Sequence, residues 1–229
     1  MNKINWNTYK FHPHMLPKIM TASKSKTDIL STTAKGQLDE LWIKEVFGRE
    51  NFDTKNKYTQ KGIISELDSL KLINQVTGKV LFKNEKTFEN RFLAGTPDII
   101  VGRLIDIKSS WSIFSFNGVE EQHAYNTYYY QLLGYMWLLN RRVASVIFCL
   151  VNTPEEIMND ELYRLSFKFP GMNDLSEAEM NRFKCNFIFD DIDPKSRMKK
   201  FIFKYDHEKI VLLKERLIAA RIYLKNRKL

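Results

Sequence analysis

The sequence predicts an α/β fold in which a mixed central β-sheet is flanked by helices. Short apolar runs that end at turn residues alternate with longer runs of helical spacing. A long helical run at about 120–140 separates two apolar strand-like runs, and parallel strands need a crossover of this kind. At 229 residues the chain is large enough to bury a substantial core, so we expect one domain over residues 1–229.

The first third of the chain is predicted to become helical after an irregular start. Residues up to about Thr33 are mixed in character and include a loop-like run, TASKSKTDILSTTAK. An amphipathic helix follows and ends at Gly48; its apolar face is marked by Leu38, Leu41, Trp42 and Phe47. A polar loop is predicted at 48–60. The next predicted helix, residues 61–78, has an apolar stripe of Ile63, Leu67 and Leu70.

Strands and helices alternate through the rest of the chain. Four strands are predicted at about 79–84, 88–94, 97–102 and 104–109. The long helix and a buried strand at 144–152 follow, and this strand is expected to rejoin the sheet. Residues 162–169 (LYRLSFKF), a short helix near 175–184 and residues 199–205 (KKFIFKY) complete the alternating part. The last helix carries one apolar face, formed by Ile210, Leu213, Leu217, Ala220 and Leu224.

Besides Arg103 at the predicted turn, three charged residues interrupt the most strand-like stretch, GTPDIIVGRLIDIKSS at 95–110. Asp98, Asp106 and Lys108 lie among aliphatic residues, where an uncompensated charge costs on the order of several kcal/mol. If Val101–Arg103 form a three-residue loop, with Gly102 available for positive φ, Asp98 pairs across from Asp106. All three charged residues then share one sheet face. The opposite face is apolar: Ile99, Val101, Ile105 and Ile107.

Two opposed carboxylates repel each other and need a cation if both are to be ionised. A divalent metal that prefers oxygen ligands fits such a pair, with Lys108 one alternate position further along the strand. A two-residue loop would instead place the acids on opposite faces, and the simpler interpretation of an isolated D-x-K is a charged edge that faces solvent. Glu66 poses a similar question, because it falls on the apolar stripe of its predicted helix. A surface edge or a pair with a nearby lysine would explain it in ordinary terms.

Composition limits the function classes. Hydrophobic residues make up 44% of the chain and the mean hydropathy is −0.37, as in globular proteins. No apolar run has membrane-spanning length, and the start MNKINWNTYK is unlike a signal peptide, so we expect a cytoplasmic protein without membrane association. Cys149 and Cys185 lie in strand-like apolar surroundings and are expected to be reduced core residues. Two cysteines are too few for a four-cysteine zinc or iron–sulfur site.

The net charge of +9 lies entirely at the C-terminal end. From Lys195 to Leu229 the chain has twelve lysines and arginines against three acids, and the preceding residues balance to zero. This basic strand–helix extension, about 195–229, suits a surface that binds a polyanion. A solvated helix face is the alternative interpretation.

Four elements in order along the chain resemble those of one nuclease superfamily: Glu66, Asp98, Asp106-Ile-Lys108 and Gln131-Leu-Leu-Gly-Tyr135. Gly95-Thr-Pro-Asp98 followed by Asp106-Ile-Lys108 resembles the PD-(D/E)xK motif, with Asp in place of the commoner Glu as second acid. Gly62-x-x-x-Glu66 resembles the additional metal-binding acid of that superfamily. Gln131-Leu-Leu-Gly-Tyr135 resembles the Q-x-x-x-Y motif of its recombination-nuclease branch, which includes lambda-type phage exonucleases. The resemblance covers about 60–152 and implies a restriction-endonuclease-like core with N-terminal helical and C-terminal basic helical additions.

The resemblance implies a metal-dependent deoxyribonuclease that hydrolyses phosphodiester bonds. Asp98, Asp106 and Glu66, with the backbone carbonyl of Ile107, would hold one or two Mg²⁺ or Mn²⁺ ions. Lys108 would orient or deprotonate the attacking water, or stabilise the charged transition state. No iron–sulfur cluster is expected, because the relatives that carry one need more cysteines.

Further residues receive roles through the same resemblance. Gln131 and Tyr135 share a helix face and would bind DNA or brace the active site, whereas Tyr135 as a plain core residue is the alternative. Candidate phosphate contacts lie beside the site and on the basic extension: Lys61, Arg91, Arg216, Arg221 and Lys225. His12 and His14 are candidates for a histidine that some relatives place ahead of the acidic helix, or are ordinary surface residues.

The leading hypothesis is an end-dependent exonuclease of the lambda type. It would act on duplex ends or single strands of DNA in phage or bacterial recombination and repair. The resemblance also implies a single-strand annealing protein as a partner and a homo-oligomer. A restriction-type or structure-specific endonuclease on the same core is the second hypothesis. A nuclease-fold module that only binds DNA or protein is the third, although the presence of Asp98, Asp106 and Lys108 argues against it.

Overall fold

The computed structural model describes residues 4–51, 57–168 and 176–228, which form a small mixed β-sheet flanked by helices. The helices are α1 (Leu16–Ile19), α2 (Thr32–Phe47), α3 (Lys57–Ile64), α4 (Glu66–Thr77), α5 (Ile113–Asn117), α6 (Glu121–Leu138), α7 (Glu155–Lys168), α8 (Glu177–Lys184) and α9 (His207–Asn226). The strands are β1 (Phe88–Glu89), β2 (Ala94–Gly95), β3 (Leu104–Ser109), β4 (Val143–Cys149) and β5 (Met198–Lys204). Short 3₁₀ turns lie at Trp6–Thr8, Pro13–Met15 and Pro194–Arg197.

The central sheet has the strand order β3-β4-β5. β3 and β4 are parallel and in register from the Leu104–Ala144 pair to the Ser109–Cys149 pair. β5 is antiparallel to β4, and β1 and β2 form a separate antiparallel pair. The parallel pairing of β3 and β4 requires a crossover, which α6 supplies. The predicted crossover and the mixed sheet are therefore confirmed.

Each face of the sheet is covered by its own core. On one face, α6, α9 and the N-terminal segment pack over Leu104, Val146 and Phe203. On the other face, α4 places three residues against the sheet: Leu70, Leu72 and Ile73. They pack on the opposite side chains of β3 and β4, which include Ile105, Ile107 and Ile147. Side chains alternate along a strand, so Asp106 and Lys108 of β3 lie on the α6 face and Ile105 and Ile107 on the α4 face.

The opening segment has the irregular backbone that the sequence predicted, and it is also part of the larger core. Phe11, Leu16 and Ile19 are fully buried. The Phe11 amide donates to the Phe92 carbonyl at 2.8 Å, which ties the segment to the neighbourhood of β2. α6 approaches this segment closely at Gly134, where a Cβ would lie 2.6 Å from Leu16 Cδ1. The segment consists of short turns, which lack the periodicity that reveals longer elements.

Helices α2 and α9 agree more closely with the predictions from the sequence. α2 ends at Gly48 in the left-handed conformation, as predicted. α9 buries the predicted apolar face, formed by Ile210, Leu213, Leu217, Ala220 and Leu224, within the same core as the opening segment. None of the described helices is long and apolar enough to cross a membrane.

Several predicted strands are absent or shorter. Residues 79–84 form no strand, because the side chain of Asn74 bonds to both the amide and the carbonyl of Leu81. The strand predicted at 88–94 reduces to β1 and the start of β2, and 97–102 contributes one bridge, between Ile99 and Ile105. Residues 162–168 lie in α7 rather than in a strand, and residue 169 lies outside the described residues.

The helix predicted at 61–78 is divided at Ser65 into α3 and α4, and α3 begins within the predicted polar loop. Ile63 and Leu67 are 70% and 59% exposed, so the predicted apolar stripe is wrong except at Leu70. The predicted register fails because the helix is interrupted at Ser65, so one helical repeat does not run through both segments. Val101 and Cys185 are also exposed, contrary to prediction.

Gly95 gives a test of the packing between the opening segment and α6. A Cβ at Gly95 would lie 2.7 Å from Pro13 Cδ and 3.0 Å from Tyr135 Cε1. Because a proline ring moves little, we expect Gly95→Ala to lower the free energy of unfolding by about 1–3 kcal/mol in urea titrations. Gly36→Ala, in α2 with no atom within 4 Å, should instead raise it by about 0.5–1 kcal/mol. Equal effects of the two substitutions would contradict this packing.

Candidate active site

The carboxylates of Asp98 and Asp106 lie opposite each other in adjacent extended segments. Ile99 and Ile105 exchange both backbone hydrogen bonds, at 3.1 and 3.0 Å, which sets Asp98 across from Asp106. The reversal is tight, because Gly102 has a φ of 72° and the Arg103 amide donates to the Val101 carbonyl. The predicted register and the predicted use of Gly102 are confirmed.

The Asp106 side chain is 2% exposed and is contacted from two sides. Its Oδ1 accepts a hydrogen bond from Gln131 Nε2 at 2.7 Å. Its Oδ2 lies 2.9 Å from Lys108 Nζ. The ammonium lies off the hydrogen-bonding direction, so Oδ2 has an ion pair but no directed hydrogen bond from any described residue. This oxygen remains able to bind a further cation.

Burial and repulsion from Asp106 set the protonation of Asp98. Desolvation, and then the charge of Asp106, raise the pKa of Asp98 to about 7, although the Ile107 amide donates to Asp98 Oδ2 at 2.6 Å. Desolvation acts to lower the pKa of Lys108, but Asp106 and Asp98 raise it on balance, so the ammonium stays protonated. Lys108 Nζ also lies 5.2 Å from the centre of the Tyr128 ring. The one ammonium of Lys108 therefore does not compensate the negative charge of two ionised acids.

Gln131 and Tyr135 contact the acid-bearing segments from α6. Gln131 is buried and donates to Asp106. The Tyr135 hydroxyl donates to the carbonyl of Thr96, two residues before Asp98, over a long 3.4 Å. Desolvation raises the pKa of Tyr135, which keeps the hydroxyl protonated as a donor. In this geometry both side chains brace the site and neither presents a surface to DNA.

Glu66 begins α4, and its carboxylate pairs with a lysine. Its Oε2 lies 2.6 Å from Lys83 Nζ, so the ordinary explanation, a pair with a nearby lysine, holds. Its negative charge still acts on Asp98. Among the described residues, no three His, Cys, Asp or Glu side chains converge closely enough to hold a metal ion. The aspartate pair is therefore the centre of the site, and Glu66 is paired with Lys83.

Lys61 does not offer a surface charge to DNA, contrary to prediction. The side chain is fully buried, and its Nζ donates to the Trp111 carbonyl at 3.0 Å and lies over the Phe189 ring. Burial lowers the pKa of Lys61 to about 7. The lysine lies on the inner side of α3, where a charge is expensive and a phosphate has no access.

Two arginines of the basic extension that were predicted to contact DNA bond instead to backbone carbonyls of this chain. Arg221 is buried, and its guanidinium donates to the carbonyls of Tyr9 and Arg91, so the predicted DNA contact at Arg221 is wrong. Arg216 donates to the Thr21 carbonyl at 3.0 Å. Both arginines fasten α9 to the first half of the chain. The side chains of Arg91 and Lys225 remain exposed, as a phosphate contact requires.

Two further residues lie beside the site. The Asn84 amide donates to the Asp98 carbonyl at 2.7 Å, and its side chain donates to the Pro97 carbonyl. Desolvation, and then the charges of His12, Lys108 and Lys44, lower the pKa of His14, whose ring stacks on that of His12 with the centres 5.6 Å apart. No sequence signal marks Asn84, because its bonds join distant segments. For His14 the signal was the HPH run itself, which is equally typical of ordinary surface residues.

The fold and the aspartate–lysine site define the class of this protein as nuclease-like, and comparison with solved structures agrees. A crystal structure of a phage-related exonuclease from Haemophilus somnus 129PT is 31% identical in sequence and aligns with a TM-score of 0.76. The alignment covers 95% of this chain and 94% of that one. The chain belongs to the family of phage-related exonucleases.

More distant structures share the fold. An alkaline exonuclease, LHK-Exo from Laribacter hongkongensis, is 14% identical with a TM-score of 0.60, over 96% of this chain and 91% of that one. A second structure, of LHK-Exo in complex with dAMP, has the same identity and TM-score over 94% and 88% of the two chains. No protein-family model matches the chain, and no curated protein matches it.

The brace at Gln131 can be tested by substitution. We expect Gln131→Leu to lower nuclease turnover by roughly 10- to 100-fold, because Asp106 loses the bond that fixes its carboxylate. Tyr135→Phe should change turnover by less than about threefold, since the bond to Thr96 is long. The control is Gln122→Leu, on the exposed start of α6, where the amide bonds only within the helix. Wild-type turnover in Gln131→Leu would show that the brace is dispensable.

Lys61 predicts a pH dependence of stability. Its pKa in the folded chain, about 7, lies below that of an exposed lysine, so the unfolded chain binds more protons between the two values. Stability should therefore rise with pH above about 7, by at most about 1.4 kcal/mol per pH unit. Lys61→Met should remove this rise and be the more stable variant at neutral pH. Urea titrations across this range, with Lys225→Met as control, measure it, and parallel curves for Lys61→Met and wild type would contradict it.

Proposed function

We propose that this member of the phage-related exonucleases is a metal-dependent deoxyribonuclease with a PD-(D/E)xK site, which hydrolyses phosphodiester bonds from DNA ends. The observation that carries the proposal is the opposed pair of Asp98 and Asp106 with the ammonium of Lys108 beside it. LHK-Exo, which shares the fold, binds dAMP in one structure, and this supports a deoxynucleotide substrate. The proposed biological setting is DNA recombination or repair in a bacterial or phage-infected cytoplasm.

Mg²⁺ or Mn²⁺ is the proposed cofactor. The donors fit such an ion, because Asp98, Asp106 and the Ile107 carbonyl are oxygen ligands and Asp106 Oδ2 has no directed hydrogen bond from a described residue. Glu66 would join them once its pair with Lys83 opens. When bound, one or two such ions supply Lewis acidity toward the scissile phosphate and toward the attacking water.

The chain's own residues divide the remaining tasks. The Lys108 ammonium lies 2.9 Å from Asp106 Oδ2, so it is placed to stabilise negative charge on the phosphate or to orient the attacking water. The Ile107 amide fixes one oxygen of Asp98, and Gln131 fixes one oxygen of Asp106. Each carboxylate therefore keeps one oxygen for the reaction centre. Preorganisation of this kind lowers the reorganisation needed at the moment of reaction.

Partners follow from the same proposal. DNA is the substrate, and Arg91 and Lys225 are the predicted phosphate contacts that remain exposed. Arg216 contributes only if its bond to Thr21 is released. A homo-oligomer and a single-strand annealing partner rest on the resemblance to lambda-type exonucleases.

Substitution of Lys108 tests the proposed chemistry. We expect Lys108→Ala to lower hydrolysis of linear duplex DNA with Mg²⁺ by at least roughly 100-fold, because the transition-state charge loses its partner. DNA binding should stay within about threefold, measured by anisotropy with Ca²⁺ in place of Mg²⁺, since one phosphate contact contributes little to affinity. Lys24→Ala, an exposed lysine of the opening segment with no proposed role in catalysis or DNA binding, is the matched control. Unchanged hydrolysis in Lys108→Ala would remove Lys108 from the mechanism.

A further inference from the structure

A pocket lies on the sheet face opposite to the catalytic acids. Its floor consists of one aliphatic side chain from each of four elements: Ile73 of α4, Ile105 of β3, Ile147 of β4 and Met198 of β5. Its volume is about 340 Å³. Because side chains alternate along β3, Ile105 and Asp106 project to opposite faces. A substrate bound at the acids therefore does not fill this pocket.

Three cations surround the mouth of the pocket: Lys79, Arg103 and Lys200. Within the described parts of the chain, no ion pair joins any of them to a carboxylate. Desolvation, and then the charges of Arg103 and Lys79, lower the pKa of Lys200, which shows that the three charges act on one another. Like charges held together without partners favour the binding of an anion.

The positive surface continues beyond the pocket. Gly102 and Arg103 also line a second cleft of about 470 Å³, together with Arg141 and Arg142. In the described residues neither of these arginines has an ion pair, and Arg142 lies over the Tyr205 ring. A ligand with several negative charges would find cations on two sides of the Gly102 turn.

The edge of the pocket is apolar as well as charged. Val80 and Val101 border it and are 75% and 64% exposed. Leu81 and Ile99, in the same two segments, pack in the core between α4 and the sheet. Exposed aliphatic side chains around an apolar cavity indicate that the natural ligand brings an apolar group. The ligand chemistry is therefore both anionic and apolar.

We propose that this pocket binds an acidic peptide segment of a partner protein. A bulky apolar side chain of the peptide enters between Ile105 and Ile147, and its neighbouring carboxylates pair with Lys79, Arg103 and Lys200. A nucleic acid would satisfy the cations, but none of the described residues that line the pocket is aromatic, so a base would find no ring on which to stack. The proposal goes beyond the proposed nuclease function and does not depend on it.

The test uses the full chain and a fluorescein-labelled hexapeptide of sequence DDDDLF, in anisotropy titrations without DNA or divalent ions. We expect saturable binding that weakens by roughly tenfold or more when Arg103→Glu and Lys200→Glu are combined. The matched control combines Lys225→Glu with Lys228→Glu, which makes the same charge change at exposed positions of the C-terminal end. This control should bind the peptide as the wild type does.

Four results would overturn the proposal. The first is no saturable binding, and the second is equal binding of DDDDAA, which would mean that the apolar pocket is not used. The third is equal loss in both double variants, which would reduce the effect to net charge. The fourth is a changed affinity for single-stranded DNA, or a changed oligomeric state, with peptide affinity intact, since nucleic acid or a second copy would then be the occupant. DNA digestion by the Arg103/Lys200 variant, assayed separately, should match wild type.

Discussion

Repulsion between a buried carboxylate, Asp106, and a half-buried one, Asp98, is the constraint on which the rest of this structure depends. Asp98 and Asp106 face each other where water is scarce, and each acid raises the free energy of the other. The chain holds them there through the Gly102 reversal, which fixes their register, and through one neutral donor for each acid. The single ammonium of Lys108 offsets part of the charge. The remaining deficit of positive charge is what makes a divalent cation the natural complement.

Support for this pair comes mainly from one side of the sheet. α6 carries the amide of Gln131 to Asp106 and is itself positioned by close packing on the opening segment at Gly134. α9 closes the same core and is fastened by buried arginine–carbonyl bonds. The N-terminal segment and α9 therefore help to position the site and are not peripheral additions. The other face, under α4, carries none of the predicted catalytic side chains except Glu66 at its edge, and this leaves room there for a separate interaction surface.

The sequence determined the site better than its surroundings. Alternation with period two and one glycine were enough to place Asp98 across from Asp106, because both signals are local. The inward turn of Arg221 and the Glu66–Lys83 pair could not be predicted, since each depends on a segment distant in sequence. The run at 162–168 alternates like a strand, but its leucines also have helical spacing, and the structure follows the helix. Residues 79–84 do not form a strand because the Asn74 side chain occupies the backbone amide and carbonyl of Leu81.

The most direct test of the account is a time course with linear and covalently closed circular duplex DNA in one tube with Mg²⁺. Both substrates present the same phosphodiester bonds, and only the linear molecule has ends. An end-dependent nuclease built on Asp98, Asp106 and Lys108 should remove the linear DNA and leave the circle intact. Nicking or linearisation of the circle would contradict end dependence and indicate an endonuclease on the same site. Persistence of both, with Mg²⁺ or Mn²⁺, would contradict the assignment of the aspartate pair as a nuclease centre.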